Sequence, residues 1–447
     1  MRYGELLFLG LMAVYHAVLL VPRHRRVFAA NYLVFLAGMA LAWNLALEGL
    51  RWQTLPPALL LLIDLLVLFP TLRTLRGVFP RPGFWSGFRR FLRFLTASAA
   101  FLWAVASAAL SLAFPLPRVE LTGELPPAER VVDVAATADR PALRLLLWYP
   151  AGGNKLPQPR PDSDATAWQR ARLAGGPPAF WQSYLAHLPS SRIQGGALAS
   201  QGVRYPVVYV SVPRGQNPDD FGYLFEDLAS RGFVVAAVRP LPAPIPQPPA
   251  FTWKGAWTEL TLPLGTWTLW LEPDRSETKP AAPDFRWLDA SAAIVKQLDA
   301  EPGDLLFGAV DREHQGLWSW GQGAAVSETE RQTLGLKGLV YAGGLPPAGH
   351  RASGLELWIG ADPVPAPAPG QWFLTQPSLF RADLSDAAYL KPYLAFFGLK
   401  SSADAGGHGA IRQYLAAFYQ FALWGPQGDT AFGATVPAVP GLKLTGR

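Results

Sequence analysis

The first 118 residues of this 447-residue chain carry four apolar stretches, Leu6 to Val21, Val27 to Leu47, Leu55 to Leu72 and Leu95 to Leu116. Each is near the length that crosses a bilayer as a helix. They predict a transmembrane region of four helices over residues 1–118 and a separate domain over residues 119–447. The first stretch has only Arg2 before it and no small-residue cleavage site ahead of Arg23, so it is read as a retained helix, not a signal peptide. Arg23, Arg25 and Arg26 fill the first loop and Arg73, Arg76, Arg81, Arg89, Arg90 and Arg93 the third, against Arg51 alone in the second. Positive loops stay on the cytoplasmic side, which places both termini outside and makes the chain a multi-pass cell-membrane protein with an extracytoplasmic C-terminal domain.

The charge follows the same division. Residues 1–118 hold 12 Lys and Arg against 3 Asp and Glu, and the remainder 27 against 30, so the net +6 belongs to membrane loops and not to a nucleic-acid surface. There is no cysteine, which excludes disulfides, thiolate metal sites and a thiol nucleophile. No phosphate loop, dinucleotide fingerprint, metal-ligand spacing or repeat is present, so neither cofactor nor metal is expected. Within the apolar stretches His16, Asn44 and Asp64 are polar groups at membrane depth. They are read as interhelical hydrogen-bonding groups facing the bundle interior, with a proton or ligand route as the alternative. Phe84 to Phe94 mixes three Arg with aromatic residues and reads either as an interfacial helix on lipid headgroups or as the base of the fourth helix.

Beyond residue 118 the pattern changes. Val131 to Ala136 and Leu143 to Tyr149 read as paired strands, Pro206 to Ser211 and Phe233 to Val238 as buried strands on either side of a helix at Phe221 to Arg231. A helix near Phe180 to Leu188, another at Trp287 to Leu298, strands at Gly316 to Trp318, Gly338 to Ala342 and Leu355 to Ile359, and a final amphipathic helix at Ile411 to Leu423 complete the pattern. Strands alternating with helices predict an α/β domain: a mostly parallel sheet covered on both faces. Thr258 to Leu271 reads as a hairpin surrounded by Trp253, Trp257, Trp267 and Trp270, and Pro240 to Pro249 as a stiff spacer.

The stretch Leu317-Trp-Ser-Trp-Gly-Gln-Gly-Ala-Ala325 joins a strand to a small-residue helix start. That is the setting of the nucleophile elbow of α/β-hydrolases, in which G-x-S-x-G raises a Ser hydroxyl above the sheet. Here Gly321 stands at the serine's position. Together with Phe114-Pro-Leu-Pro117, Leu147-Trp-Tyr-Pro150, Pro206 to Ser211, the run Phe225 to Val238, Asp311-Arg-Glu313 and Leu384-Ser-Asp386, the domain resembles the platelet-activating factor acetylhydrolase family of α/β-hydrolases, which cleave short acyl esters from phospholipids.

The resemblance implies a catalytic set, and each member is missing. The family's Ser matches Gly321, its Asp matches Ala342 or Gly343, and its His lands on Arg381 if the following Asp is Asp386, or on Ser378 if it is Asp383. Its oxyanion-hole segment matches Ser211-Val212-Pro213, where proline has no N–H to donate. Arg381 supplies a fixed positive charge that binds anions but serves no general-base role, or else pairs with Asp383 or Asp386. An alternative triad of Ser319, Asp362 and His408 keeps an esterase reading open. The resulting expectation is a membrane-tethered α/β-hydrolase-like protein without the family's reaction, with membrane lipid around it and a lipid or protein ligand. Trp318, Trp320, Gln322 and Arg381 are its ligand-pocket candidates, and an active ester hydrolase or a structural membrane scaffold are the rivals.

Overall fold

The computed structural model describes residues 3–20, 27–47, 54–74, 84–113, 120–136, 141–152, 193–212, 218–240, 285–321, 325–344, 346–347, 350, 352, 354–360, 366–375, 384, 405–425 and 442–446. These fall into two compact units, the residues up to 116 and those from 120 on.

The N-terminal unit contains α1 (Tyr3–Leu20), α2 (Val27–Leu47), α3 (Leu55–Thr74) and α4 (Phe84–Ala113). On α1 the buried residues Phe8, Leu9, Met12, Tyr15 and His16 recur every three to four positions, one stripe of a helix turned toward its neighbours. The interior it meets holds Val34, Ala37 and Ala40 of α2, Leu61 of α3 and Ala104 of α4. Other large apolar residues point outward: Phe35, Trp43, Leu62, Leu102 and Trp103 are all more than half exposed. The polar groups lie inside. Ser111 Oγ donates to Glu5 Oε1 at 2.7 Å, His16 Nε2 lies 3.6 Å from Asp64 Oδ2, and Asn44 is fully buried.

Two expectations about this unit are refined. The sequence leads to an expectation of four spanning helices; among the described residues one, α1, meets the length and apolarity needed to cross a membrane, and the apolar runs described in the others are Tyr32–Ala46, Pro56–Leu65 and Phe94–Ala109. The Phe84 to Phe94 segment is the base of α4, because the helix runs without a break from Phe84 to Ala113.

The second unit is organised on one ten-stranded sheet. In chain order its strands are β1 (Pro127–Val134), β2 (Leu143–Pro150), β3 (Ile193–Gln194), β4 (Tyr205–Ser211), β5 (Val234–Pro240), β6 (Val310–Trp320), β7 (Leu336–Ala342), β8 (Leu355–Gly360), β9 (Gln371–Thr375) and β10 (Lys443–Gly446). Their spatial order is β10-β9-β8-β7-β6-β4-β5-β2-β1-β3. The pairs from β5 through β4, β6, β7 and β8 to β9 are all parallel. β2 runs antiparallel to both β1 and β5, and β10 is antiparallel to β9. Every residue of β4 is buried, as expected of a central strand covered on both faces, which explains its uninterrupted apolar run.

Alternating side chains feed two cores. One face, with Val208, Val210, Trp318, Trp320, Val340 and Leu357, packs on α5 (Gly222–Ser230) and α8 (Ala405–Trp424). The other, with Val207, Tyr209, Leu317, Leu339, Tyr341 and Trp358, packs on α6 (Leu288–Ala300). α7 (Glu328–Leu334) begins with a capping box between Ser327 and Glu330. α8 approaches the sheet over two glycines. A Cβ on Gly316 would lie 2.9 Å from the Tyr419 ring, and one on Gly338 would lie 2.8 Å from Ala422 Cβ. Tyr419 Oη then donates to Leu317 O at 2.7 Å.

The chain entering this unit is fastened by Asp227, which lies fully buried on α5. Its carboxylate accepts from Thr122 N and Thr122 Oγ1, both at 2.7 Å, and from Arg412 Nη1 of α8 at 3.1 Å. Arg412 also donates to Glu120 O at 3.0 Å. The run Phe225 to Val238 therefore earns its distinctiveness structurally, through an acidic clamp as well as strand β5. Mostly parallel strands, an antiparallel second strand and helices on both faces are consistent with the expected α/β-hydrolase fold. The helix expected at Phe180 to Leu188, the hairpin at Thr258 to Leu271 with its Trp residues, residues 241–249 of the spacer, and the loop arginines before α2 lie outside the described residues.

Candidate functional site

Open parallel sheets bind ligands beyond the C-terminal ends of their strands, where successive connections leave in opposite directions. Here β4 connects to β5 on one side and has β6 on the other, so that point lies between the ends of β4 and β6. Ser211 closes β4 and Trp320 closes β6.

Gly321 follows at once with φ +138°, a backbone conformation that residues with a Cβ rarely adopt, and its N–H donates to Ala342 O at 3.0 Å. The sharp exit from the strand that an elbow requires is thus begun at the residue that lacks a nucleophile. Ala342 ends β7, fully buried. Gly343 has φ +90°, and its N–H donates to Ile359 O at 2.8 Å. A Cβ on Gly343 would fall 2.7 Å from Cζ3 and 2.8 Å from Cη2 of Trp320, which occupies the space an acid there would enter. Neither family position for the acid carries one, and at Gly343 there is no room for one with Trp320 as it stands.

Of the alternative triad, Ser319 alone has its side chain among the described residues. Ser319 is 1% exposed and lies within β6, paired with Ser211 on one side and Tyr341 on the other, instead of on the turn. Asp362 lies outside the described residues. His408 is in the first turn of α8, and its side chain is outside what is described. Of the pocket candidates, Gln322 and Arg381 are outside as well, as is Pro213. Trp318 and Trp320 are described, and both are buried. Trp318 packs 4.6 Å from Phe221 and 5.3 Å from Phe225, centroid to centroid, and Trp320 5.7 Å from Phe221. They are wall, not open lining, and the indole N–H of each has no hydrogen-bond partner among the described residues.

Sequence reasoning missed two polar features. The Glu356 carboxylate, fully buried at the start of β8, is held by His350 Nε2 at 2.9 Å and by the Trp358 indole and Gln371 amide at 3.1 Å each. It lies at the N-terminal end of the strands, away from the ligand-binding edge, and it is fully coordinated, which marks a structural role. The second is a row of hydroxyls, Ser211, Ser319 and Tyr341, across β4, β6 and β7. Burial raises the Tyr341 phenol well above its ordinary value, with the Glu356 carboxylate adding to the shift, so it stays protonated throughout the physiological range. No group of three or more metal-ligating side chains occurs among the described residues.

No family model and no curated protein matches the chain. Among solved structures, it is similar to a ferulic acid esterase from Streptomyces cinnamoneus, 20% identical, with a TM-score of 0.46 over 73% of this chain and 98% of the other. A likeness this distant bears on neither activity nor substrate. The acetylhydrolase resemblance gains no support from these comparisons, and what stands is the wider α/β-hydrolase-like architecture seen in the sheet itself.

Proposed function

We propose that this chain is a membrane-tethered α/β-hydrolase-like protein that holds a ligand, a lipid or another protein, without cleaving it. The observation that carries the reading is the state of the elbow: Gly321 stands where the nucleophile belongs, and the Trp320 ring fills the space beside Gly343 where the orienting acid belongs. A hydrolase of this type needs nucleophile, base and acid in one constellation, and losing the first removes the covalent step altogether. The specific link to the platelet-activating factor acetylhydrolase family rests on the sequence resemblance.

The membrane part of the reading is a four-helix multi-pass anchor with the C-terminal domain extracytoplasmic. Its support is the distribution of side chains in α1 to α4: Phe35, Trp43, Leu62, Leu102 and Trp103 face outward, while the polar Glu5, His16 and Asn44 are buried. The loop arginines give the orientation. The test is labelling of the full chain by a fluorophosphonate probe beside a Ser319→Ala control. Absence of labelling in folded protein is the expected result. Labelling abolished in the control would overturn the non-cleaving reading and make Ser319 a nucleophile.

A further inference from the structure

We infer that His16 and Asp64 form a proton-binding site within the helical unit, giving that unit an exchange with the water phase in addition to its anchoring role. The inference rests on the membrane part of the reading above and is independent of whether the chain cleaves an ester.

His16 lies in the inward stripe of α1 and is 2% exposed, and Asp64 lies midway along α3. His16 Nε2 is 3.6 Å from Asp64 Oδ2, and neither of these atoms nor His16 Nδ1 makes a hydrogen bond among the described residues. That separation is too long for a direct hydrogen bond. It is too short for a bridging water, since two ordinary hydrogen bonds through one oxygen span roughly 4.5 Å. A pair kept only to join helices would be bonded across them, as Ser111 of α4 is to Glu5 of α1 at 2.7 Å. The gap instead suits a proton, which on either atom closes the pair into a hydrogen bond of about 2.8 Å.

The charges around the pair fix how many protons it takes. On α1, Tyr15 packs on His16 with ring centroids 4.9 Å apart, Glu5 is bonded to Ser111 of α4, and Tyr3 is exposed. Among the described side chains, α2 brings only the exposed Tyr32, α3 only Asp64, and α4 no titratable group. No Lys or Arg among them balances the carboxylate. With one proton the pair is net neutral, whereas none or two leaves a net charge buried away from water. The step is uptake of H⁺ from water onto a lone pair of Nε2 or Oδ2; no bond between heavy atoms breaks and nothing is oxidised. A metal ion is the poorer occupant, since the pair supplies two ligands and no group of three or more occurs among the described residues.

The experiment uses the full chain in phosphatidylcholine vesicles and dicyclohexylcarbodiimide, an apolar reagent that adds to protonated carboxyls. Labelling of Asp64 is read by peptide mass spectrometry across the neutral pH range in the wild type, His16→Leu and His16→Gln. The expected result is labelling of Asp64 whose rate falls as the pH rises, and which both variants change by about threefold or more where the wild type is half-labelled. A rise in the variants puts the resting proton on the imidazole, and a fall puts it on the carboxyl. His16→Gln decides the matter if His16→Leu fails to fold. It keeps a hydrogen-bonding end of similar size but takes no proton, so a merely structural histidine would leave it like the wild type. A wild-type profile in His16→Gln, or no labelling of Asp64 at any pH, would overturn the site. Flotation with the vesicles reports the membrane reading separately, and a chain that stays behind defeats that reading and this site together.

Discussion

The Trp320 ring lies within 3 Å of the point where any side chain on Gly343 would begin. Trp320 closes β6 and Gly343 follows the last residue of the adjacent parallel strand β7, so the missing acid and the bulky indole are one packing solution, not two separate losses. Restoring catalysis then takes more than restoring a nucleophile. Gly321→Ser alone is expected to give no ester hydrolysis above background. Gly343→Asp should lower the unfolding temperature, through both the clash and the strain at φ +90°. Combining it with Trp320→Ala should recover part of the loss, with a coupling of about 1–2 kcal/mol in a double-mutant cycle. Strict additivity of the two changes would show that the ring is not the obstacle.

The approach of α8 to the sheet sets a second expectation. Gly338 leaves 2.8 Å between a new Cβ and that of Ala422, with little on either side able to move. Gly338→Val should cost about 1–3 kcal/mol by overpacking. Denaturant unfolding of the variant measures it, and an unchanged midpoint would mean that α8 can shift outward freely.

Asp227 and Arg412 form a buried ion pair, and removing Arg412 leaves the buried carboxylate with Thr122 and, 3.9 Å away, the Arg231 guanidinium. Arg412→Met should cost about 3–5 kcal/mol, while Asp227→Leu combined with Arg412→Met should cost clearly less than that single change. The comparison of the two unfolding midpoints decides it. Equal losses would mean that the pair matters only through packing.

Acid sensitivity should centre on Asp304 and Asp133. Burial works to raise the Asp304 carboxyl, but two hydrogen bonds from Arg130 at 2.7 and 2.9 Å and the Leu306 N–H hold it below its ordinary 3.8. The Asp133 carboxyl is lowered chiefly by its hydrogen bonds from Arg144. Both folded-state values lie below the unfolded ones, so each contribution is complete above that ordinary value and is lost as the pH falls through the folded value. Stability measured from pH 6 down to 2 should therefore fall at the acid end, and Arg130→Met should flatten part of that fall. A profile unchanged by the substitution would remove Asp304 from the account.

Much of this sheet was legible because buried parallel strands announce themselves. Pro206 to Ser211 and Phe233 to Val238 are continuous apolar runs, and they became β4 and β5 nearly as read. β9 was missed. It is five residues long, opens on Gln371, and follows a proline-rich loop, so its fit becomes clear only through Glu356 on the neighbouring strand. At the site, the loss at Gly321 was plain in the sequence. The role of Trp320 was not, since its meeting with Gly343 depends on the β6 and β7 register. Ser211 and Ser319 likewise become partners only when β4 and β6 are found side by side. In the N-terminal unit the four helices were legible from hydropathy, whereas the inward placement of Glu5 on Ser111 required knowing how α1 meets α4.

The clamp around Asp227 also sets how the second unit bears mechanical load. Tension arriving along the chain at Glu120 reaches Thr122, Asp227 and Arg412 before it reaches β1. These bonds lead into α5 and α8, two helices laid over the centre of the sheet, and Leu125 N–H to Ser230 O adds a further link to the same layer. A pull on the chain ahead of Glu120 is thus shared across the body of the sheet instead of unzipping β1 from β2, so the fastening at Asp227 is also the reinforcement that keeps β1 from peeling.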